Sequence, residues 1–453
     1  MGKLDESYSD PQADEVAPDL IIKAGIVITM AKGAVPISDA AICIKDGKIT
    51  GLKRTEGRDV SPAIGVEIID ARDAIVMPGL VNAHTHAAMS IFRGLADDLP
   101  LKQWLFEKIF PAEARFLNPE TVYWGSLLAC LEMIASGTTS FADGYFFEDE
   151  TAQAVHESGL RALVAQGVID FPAPGVEDPK ENLRTAKDFL RRWRGFSSLI
   201  TPGIFCHSPL TCSDRTLRRA WEICREFDVP LQIHLSETLD ETNEITKRVG
   251  KRPVHYLDEL GLIDSRLIAV HAVHLNEEEL ECLRASDVKV AHVPESNMKL
   301  CCGVARVSQM VKIGLKVGLG TDGCASNNNL DLFQEMDTAA KLSKVFDGDP
   351  VSLNAKTVLK MATTWGAALL GLEREIGTIE VGKKADIIVV DIHSAHLCPV
   401  YDPISTLVYS ANGGDVRDVI VDGKILMKNR EFITLDSAEI MKRVRKLSVE
   451  IAI

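Results

Sequence analysis

From Ala74 to Asp322 the chain alternates short apolar runs with helical stretches of about 15 to 25 residues, the grammar of βα units on a parallel sheet. Eight such runs occur: AIVMPGLVNAH, TTSFAD, RALVAQGVID, LITPGIFCH, PLQIHLSE, LIAVHAV, VKVAHVP and KVGLGTD. Eight parallel strands with intervening helices, over roughly 300 residues, predict a closed (β/α)8 or TIM barrel. A doubly wound open sheet is the runner-up fold. In a barrel the C-terminal ends of the strands converge on one face, where active sites of this architecture sit. Those ends carry His84 and His86, Asp143, Gln166 and Asp170, His207, His234 with Glu237, His271, His292 and Asp322. More than half of the eleven histidines fall there, and apolar strands have no packing reason to carry them. His156, His255, His274, His393 and His396 stand in helical or loop contexts and read as structural.

Both flanks of the barrel segment have a different grammar. LIIKAGIVIT, AAICIKDGKITGL and VEIIDARDAIVMP are β-rich runs joined by turns that include Asp46-Gly47, a hairpin signal. The pattern returns in GTIEVGKKADIIVVD and VRDVIVDGKILMKN, with Asp422-Gly423. The two ends therefore predict one small β-sandwich domain from residues 16–77 plus 376–435, around a barrel over 78–375. A C-terminal helix is expected over 436–453. Residues 1–15 are acidic and without an apolar run, and are expected to form a disordered tail with no signal peptide.

With 46% hydrophobic and 25% charged residues the composition is that of a globular protein. The formal net charge of −15 has the wrong sign for binding nucleic acid phosphates or anionic membranes, so neither is an expected partner. Ten cysteines show no C-x-x-C pair, and most read as buried thiols of a reducing, cytoplasmic compartment, with packing the reading for the adjacent Cys301 and Cys302.

In His84-Thr85-His86 two imidazoles separated by one residue lie on the same side of an extended segment and can face one ion. His234 and Asp322 can complete the shell. Imidazole and carboxylate donors suit Zn2+, one per subunit, with Fe2+ and Mn2+ as alternatives. A catalytic zinc keeps a coordination position for water, whose pKa it lowers towards neutrality. Glu237, three residues beyond His234, is placed to act as general acid/base. His271 and His292 remain for hydrogen bonds to the water, the substrate or a developing oxyanion, or for a purely supporting role.

In order, the segments PGLVNAHTH, SGTTSFAD, HSP, IHLSE, VHAVH, SNMKL and LGTDGCASNNNLDLF resemble the amidohydrolase superfamily, in its 5-methylthioadenosine/S-adenosylhomocysteine deaminase and chlorohydrolase-like branch. The resemblance runs from about residue 20 to 435. It implies that His84, His86, His234 and Asp322 bind one metal ion, and that Glu237 and His271 are the catalytic carboxylate and the histidine steadying the attacking water. Asp322 is implied to take that water's proton. Substrate contacts are implied for Glu113 in FPAEARF, at ribose hydroxyls, for His207 in CHSP, and for Trp104 in LPLKQWL, packing on the base.

The chain departs from the branch where an arginine is expected after the third strand. Gln166 stands there, and Asp178 is at about the place of a second arginine. Neither replaces the charge that pairs a carboxylate bidentately, so S-adenosylhomocysteine is disfavoured against a neutral 5′ group. The expected activity is hydrolytic deamination of an adenosine-type nucleoside: 5′-methylthioadenosine, 5′-deoxyadenosine or adenosine. The alternative is an amino- or chlorohydrolase of another N-heterocycle, such as a triazine, guanine or a pterin. A non-catalytic scaffold is the rival from another class, opposed by retention of every ligand position. The resemblance also implies a homo-oligomer.

Overall fold

The computed structural model describes residues 17–55 and 65–451. The tail expected over 1–15 lies outside them. Among the described residues sixteen strands form two sheets of eight. The chain starts with β1 (Leu20–Val27), β2 (Ile37–Lys45), β3 (Lys48–Arg54) and β4 (Glu67–Pro78). The second sheet holds β5 (Leu80–Thr85), β6 (Thr138–Tyr145), β7 (Arg161–Val168) and β8 (Ile200–Cys206). It continues with β9 (Leu231–Leu235), β10 (Leu267–His271), β11 (Lys289–His292) and β12 (Val317–Leu319). The chain then returns to the first sheet with β13 (Ile387–Asp391), β14 (Val416–Val421), β15 (Lys424–Lys428) and β16 (Glu431–Phe432).

Strands β5 to β12 are parallel neighbours in chain order, as the apolar runs predict. The last strand is only three residues long, so closure passes to the turn behind it. Thr321 and Asp322 both donate their N–H to the carbonyl of His84, at 3.1 and 3.0 Å. The Asn82 side chain donates to Thr321 Oγ1 at 2.8 Å and accepts the Thr321 N–H at 3.2 Å. These bonds tie the first metal-candidate strand to the last.

The run AIVMPGLVNAH is two strands rather than one. Ile75 to Pro78 pair with β13 in the first sheet, and Leu80 opens the barrel. The chain crosses at Gly79, where a Cβ would stand 2.0 Å from Thr139 Oγ1, so only glycine allows the approach.

The other sheet runs β16-β15-β14-β13-β4-β1-β2-β3, with both chain ends contributing. Alternate residues serve two cores. Val76, Ile387 and Val389 pack with Ile22 and Ile42 inside the sheet's own cluster, whereas Ile75, Met77, Ile388 and Val390 join the barrel core. The sheet coils until its two Asp-Gly turns meet: Ala385 donates to Gly47 O at 2.9 Å and Gly423 to Ala385 O at 3.1 Å. Asp46, Gly47, Asp422 and Gly423 all have φ between 49° and 76°, the left-handed pair that a tight two-residue hairpin requires. A buried ion pair, Arg161 Nε to Asp386 Oδ2 at 2.9 Å, pins β7 to this sheet. The last described element is a helix over Ser437–Ile451, seated through Ile440 and Val444.

Candidate metal centre and active site

His84 lies on β5, His86 follows it, His234 lies on β9, His271 ends β10 and Asp322 follows β12. Ser236, His271 and Asp322 have φ of 52°, 68° and 58°. Such left-handed backbone costs about 1–2 kcal/mol at each non-glycine residue, and its clustering at strand ends is typical of functional sites.

One donor atom from each of His84, His86, His234 and Asp322 falls within a 4.8 Å group. His84 Nε2 is 3.2 Å from His234 Nε2, and His86 Nε2 is 3.2 Å from Asp322 Oδ1. Neighbouring groups fix which nitrogens are bare. His86 Nδ1 is 2.6 Å from the carbonyl of Gly144, which can only accept, so Nδ1 carries the proton. The Gln232 amide donates through Nε2 to Asp143 O at 2.9 Å, so its Oε1 accepts from His84 Nδ1 at 3.2 Å. His84 Nε2 is thereby left with a free lone pair aimed inward, and His86 Nε2 faces Asp322 Oδ1. Burial holds His84 neutral, lowering its pKa to about 3. Two facing imidazole nitrogens, one with its lone pair fixed inward, beside a carboxylate suit a cation between them, and carbonyl or carboxamide partners on Nδ1 are the usual support of metal-binding histidines. Asp322 Oδ2 accepts from Ser296 Oγ at 2.7 Å and Ser326 Oγ at 2.8 Å, leaving Oδ1 for the centre.

Glu237 and His271 stand beside this cluster, with His271 Nε2 at 3.8 Å from Glu237 Oε2. His271 Nδ1 donates to Asn297 Oδ1 at 3.0 Å, and its buried Nε2 has no partner among the described residues. The backbone N–H of Glu237 donates to Glu241 Oε2 at 2.8 Å. Cys302 Sγ lies 3.4 Å from Glu237 Oε1.

A cavity of about 70 Å³ opens above these groups, bounded by His86, His207, His234, Glu237, His271 and Asp322. Its roof is a helical segment over residues 101–116, π-helical in the middle at Trp104–Ile109. Such wide turns recur at functional sites. The segment presents Leu101, Trp104, Leu105, Phe110 and Glu113 to the cavity. Trp104 Nε1 is buried and unpartnered among the described residues, a donor left for a bound molecule. Glu113 accepts from Tyr145 Oη at 2.5 Å, and burial raises its pKa to about 7. His207 pairs through Nδ1 with Thr211 Oγ1 at 2.9 Å, and burial lowers its pKa to about 4.

His292 does not join them. It is buried outside the cavity lining, with Nδ1 unpartnered among the described residues. Gln166 and Asp178 are likewise turned away: Gln166 Oε1 accepts from Glu148 N at 3.3 Å, and Asp178 caps residues 179–181 through Lys180 N at 3.0 Å. Sequence reasoning missed Tyr145 and Phe205, which line the cavity. Each sits two residues along its strand from a noted residue, Asp143 and His207, so the period-2 face was the available signal.

The sequence model of the amidohydrolase family matches residues 75–426, which span every strand of the barrel. The chain belongs to the amidohydrolase family. Among amidohydrolases it is 46% identical over 430 residues to 5-methylthioadenosine/S-adenosylhomocysteine deaminase 1 of Syntrophus aciditrophicus, covering 95% of this chain and 97% of that one. It is 48% identical over 436 residues to the 5′-deoxyadenosine deaminase of Methanosarcina mazei, covering 96% and 98%. The crystal structure of an adenosine deaminase from Xanthomonas campestris with bound zinc superimposes with a TM-score of 0.93 at 39% identity, over 96% of this chain and 99% of that one. Among the described residues no helix is long and apolar enough to cross a membrane.

Proposed function

We propose that the protein is a zinc-dependent aminohydrolase that deaminates an adenosine-type nucleoside carrying a neutral 5′ group, giving the inosine analogue and ammonia. The observation that carries this reading is the convergence of bare imidazole nitrogens and Asp322 immediately beside Glu237. The names of the M. mazei and S. aciditrophicus relatives and the zinc of the X. campestris enzyme support it. His84, His86, His234 and Asp322 hold the zinc, which when bound lowers the pKa of a water towards neutrality.

The chain's own groups do the rest. His271, through its bare Nε2, holds the attacking water against the amine-bearing ring carbon. Asp322 takes the proton that this water gives up. Glu237, in its acid form, gives its proton to the adjacent ring nitrogen as the carbon becomes tetrahedral; ammonia then leaves with the proton held by Asp322 while the new hydroxyl returns its proton to Glu237, so both carboxyl groups end as they began. Glu113 accepts hydrogen bonds from the ribose hydroxyls, His207 is a second polar contact, and Trp104 covers the base. The roof segment 101–116 shields the site from water.

Among the described residues the cavity lining contains no arginine or lysine. The carboxylate of an amino-acid tail on the 5′ position would find no cationic partner in this lining, an unfavourable transfer. A methyl or methylthio group needs none. The test is ammonia release by the zinc-loaded protein from adenosine, 5′-methylthioadenosine, 5′-deoxyadenosine, S-adenosylhomocysteine, guanine and a triazine. Turnover of the neutral 5′-modified nucleosides with little on S-adenosylhomocysteine is expected. Silence on every riboside with turnover of a bare heterocycle would overturn both the substrate class and the role given to Glu113.

A further inference from the structure

The two carboxylate oxygens of Asp322 have different surroundings. Oδ1 faces the imidazoles, 3.2 Å from His86 Nε2 and 3.7 Å from His84 Nε2. Oδ2 is held by two buried serines, Ser296 Oγ donating at 2.7 Å and Ser326 Oγ at 2.8 Å. The donors come from separate parts of the barrel: Ser296 from the short helix Pro294–Lys299 after β11, and Ser326 from the turn after β12. A carboxylate oxygen has about two lone-pair directions, so two donors fill those of Oδ2. The serines are not equal. Ser326 Oγ is also 3.0 Å from Gly323 O, so its single proton has two acceptors. Among the described residues Ser296 Oγ meets Asp322 Oδ2 alone.

We infer that Ser296 is a positioning residue, with Ser326 as its weaker partner: by occupying Oδ2 it makes Asp322 a metal donor through Oδ1 alone. Without the Ser296 hydroxyl, Oδ2 regains a lone pair and can join Oδ1 on the same ion. A second carboxylate oxygen raises the coordination number and takes the position a water would hold. The hydroxyl also fixes the rotation of the carboxylate, and loss of such a support from a metal ligand typically weakens binding by about 10–100-fold. Ser296 is fully buried and absent from the lining of the inner cavity, so it acts through Asp322 and not on a bound molecule. The inference rests on the reading of Asp322 as a metal ligand and is independent of the substrate.

The experiment titrates cobalt chloride into metal-stripped protein and follows the visible absorption of the bound ion, its dissociation constant and ammonia release. Cobalt of higher coordination number absorbs more weakly, so the band reports how many oxygens Asp322 lends. Ser296→Ala should keep the circular dichroism of wild type but bind cobalt at least about tenfold more weakly, with a fainter visible band. Ser326→Ala should move both in the same direction by less. Ser343→Ala removes a buried serine whose carboxylate partner is Asp347, and should move neither. Should Ser296→Ala not fold, Ser296→Cys fills nearly the same space with a much weaker donor, and the same losses are read from it. A folded Ser296 variant with the affinity and band of wild type overturns the inference. Losses in Ser296→Ala beside a wild type that releases no ammonia from any riboside would uphold Ser296 and refute the nucleoside reading. A wild type that takes up no cobalt would refute the metal centre and this inference with it.

Discussion

The carboxylate of Glu241 accepts the backbone N–H of Glu237 at 2.8 Å, so one glutamate holds the other in place. Glu241 lies in the first turn of the helix over Leu239–Val249, where its own N–H donates to Thr238 Oγ1 at 3.1 Å. Burial, then the charge of Glu237, raises its pKa to about 8. Glu241→Ala leaves the Glu237 N–H unpartnered, at about 1–3 kcal/mol of stability. It should lower kcat by about 10–100-fold with KM little changed. Glu241→Gln keeps an acceptor oxygen and should restore most of the rate. Equal rates for the two variants would remove Glu241 from any part in placing Glu237.

Glu237→Gln preserves shape and loses the transferable proton. Metal content should stay at one ion per chain while kcat falls by about 10²–10⁴-fold. Metal analysis alongside single-turnover ammonia release separates the two effects, and a variant active at the wild-type rate would strip Glu237 of its role.

Removing the ion tests the centre itself. His84→Ala deletes a fully buried donor and should abolish zinc retention and turnover together. Chelation of the wild type should lower the Tm. A ligand present at a thousand times its dissociation constant stabilises the folded state by about 4 kcal/mol. Calorimetry of the chelated and zinc-loaded protein checks this, and an unchanged Tm would contradict the assignment of these four donors.

Glu113 gives the pH dependence its sign. Burial raises its pKa from the ordinary carboxylate range to about 7, opposed by the Tyr145 hydrogen bond and the charge of His86. The acid is therefore neutral below pH 7 in the free protein and ionises above it. Only the carboxylate accepts from Tyr145 and from two ribose hydroxyls at once, so kcat/KM for ribosides should rise as pH passes through about 7. Glu113→Gln should flatten that limb for ribosides and leave bare heterocycles unaffected. A limb that persists in the variant assigns it to another group.

The barrel and its polar face were legible because both are written locally. Apolar runs of fixed spacing give strands, and a histidine ending such a run has no place in packing. His84, His86, His234, His271 and Asp322 converge for that reason. Cys302, Gln232 and Asn297 were not legible, since each meets its partner only through the barrel: Cys302 stands 65 residues from Glu237 and Gln232 148 from His84. Glu241 is only four residues from Glu237, but an acid in the first turn of a helix reads as an ordinary helix-start residue. His292 shows the converse. It ends an apolar run like the others, yet its ring lies outside the cavity lining, a matter of side-chain direction that strand position alone does not fix. The split of AIVMPGLVNAH at Gly79 was hidden too, because continuous hydrophobicity cannot tell one strand from two in different sheets.

Strand β4 runs directly into His84 and His86, and its partners in the sheet are β1 and β13. During synthesis the first of these is present at once, while residues 387–391 leave the ribosome some three hundred residues later. Until then the apolar edge at Ile75, Val76 and Met77 is an open template for foreign strands. The nascent protein thus passes through a long interval in which both early histidines exist but their supporting sheet does not. The edge of β4 is covered only when the C-terminal strands arrive.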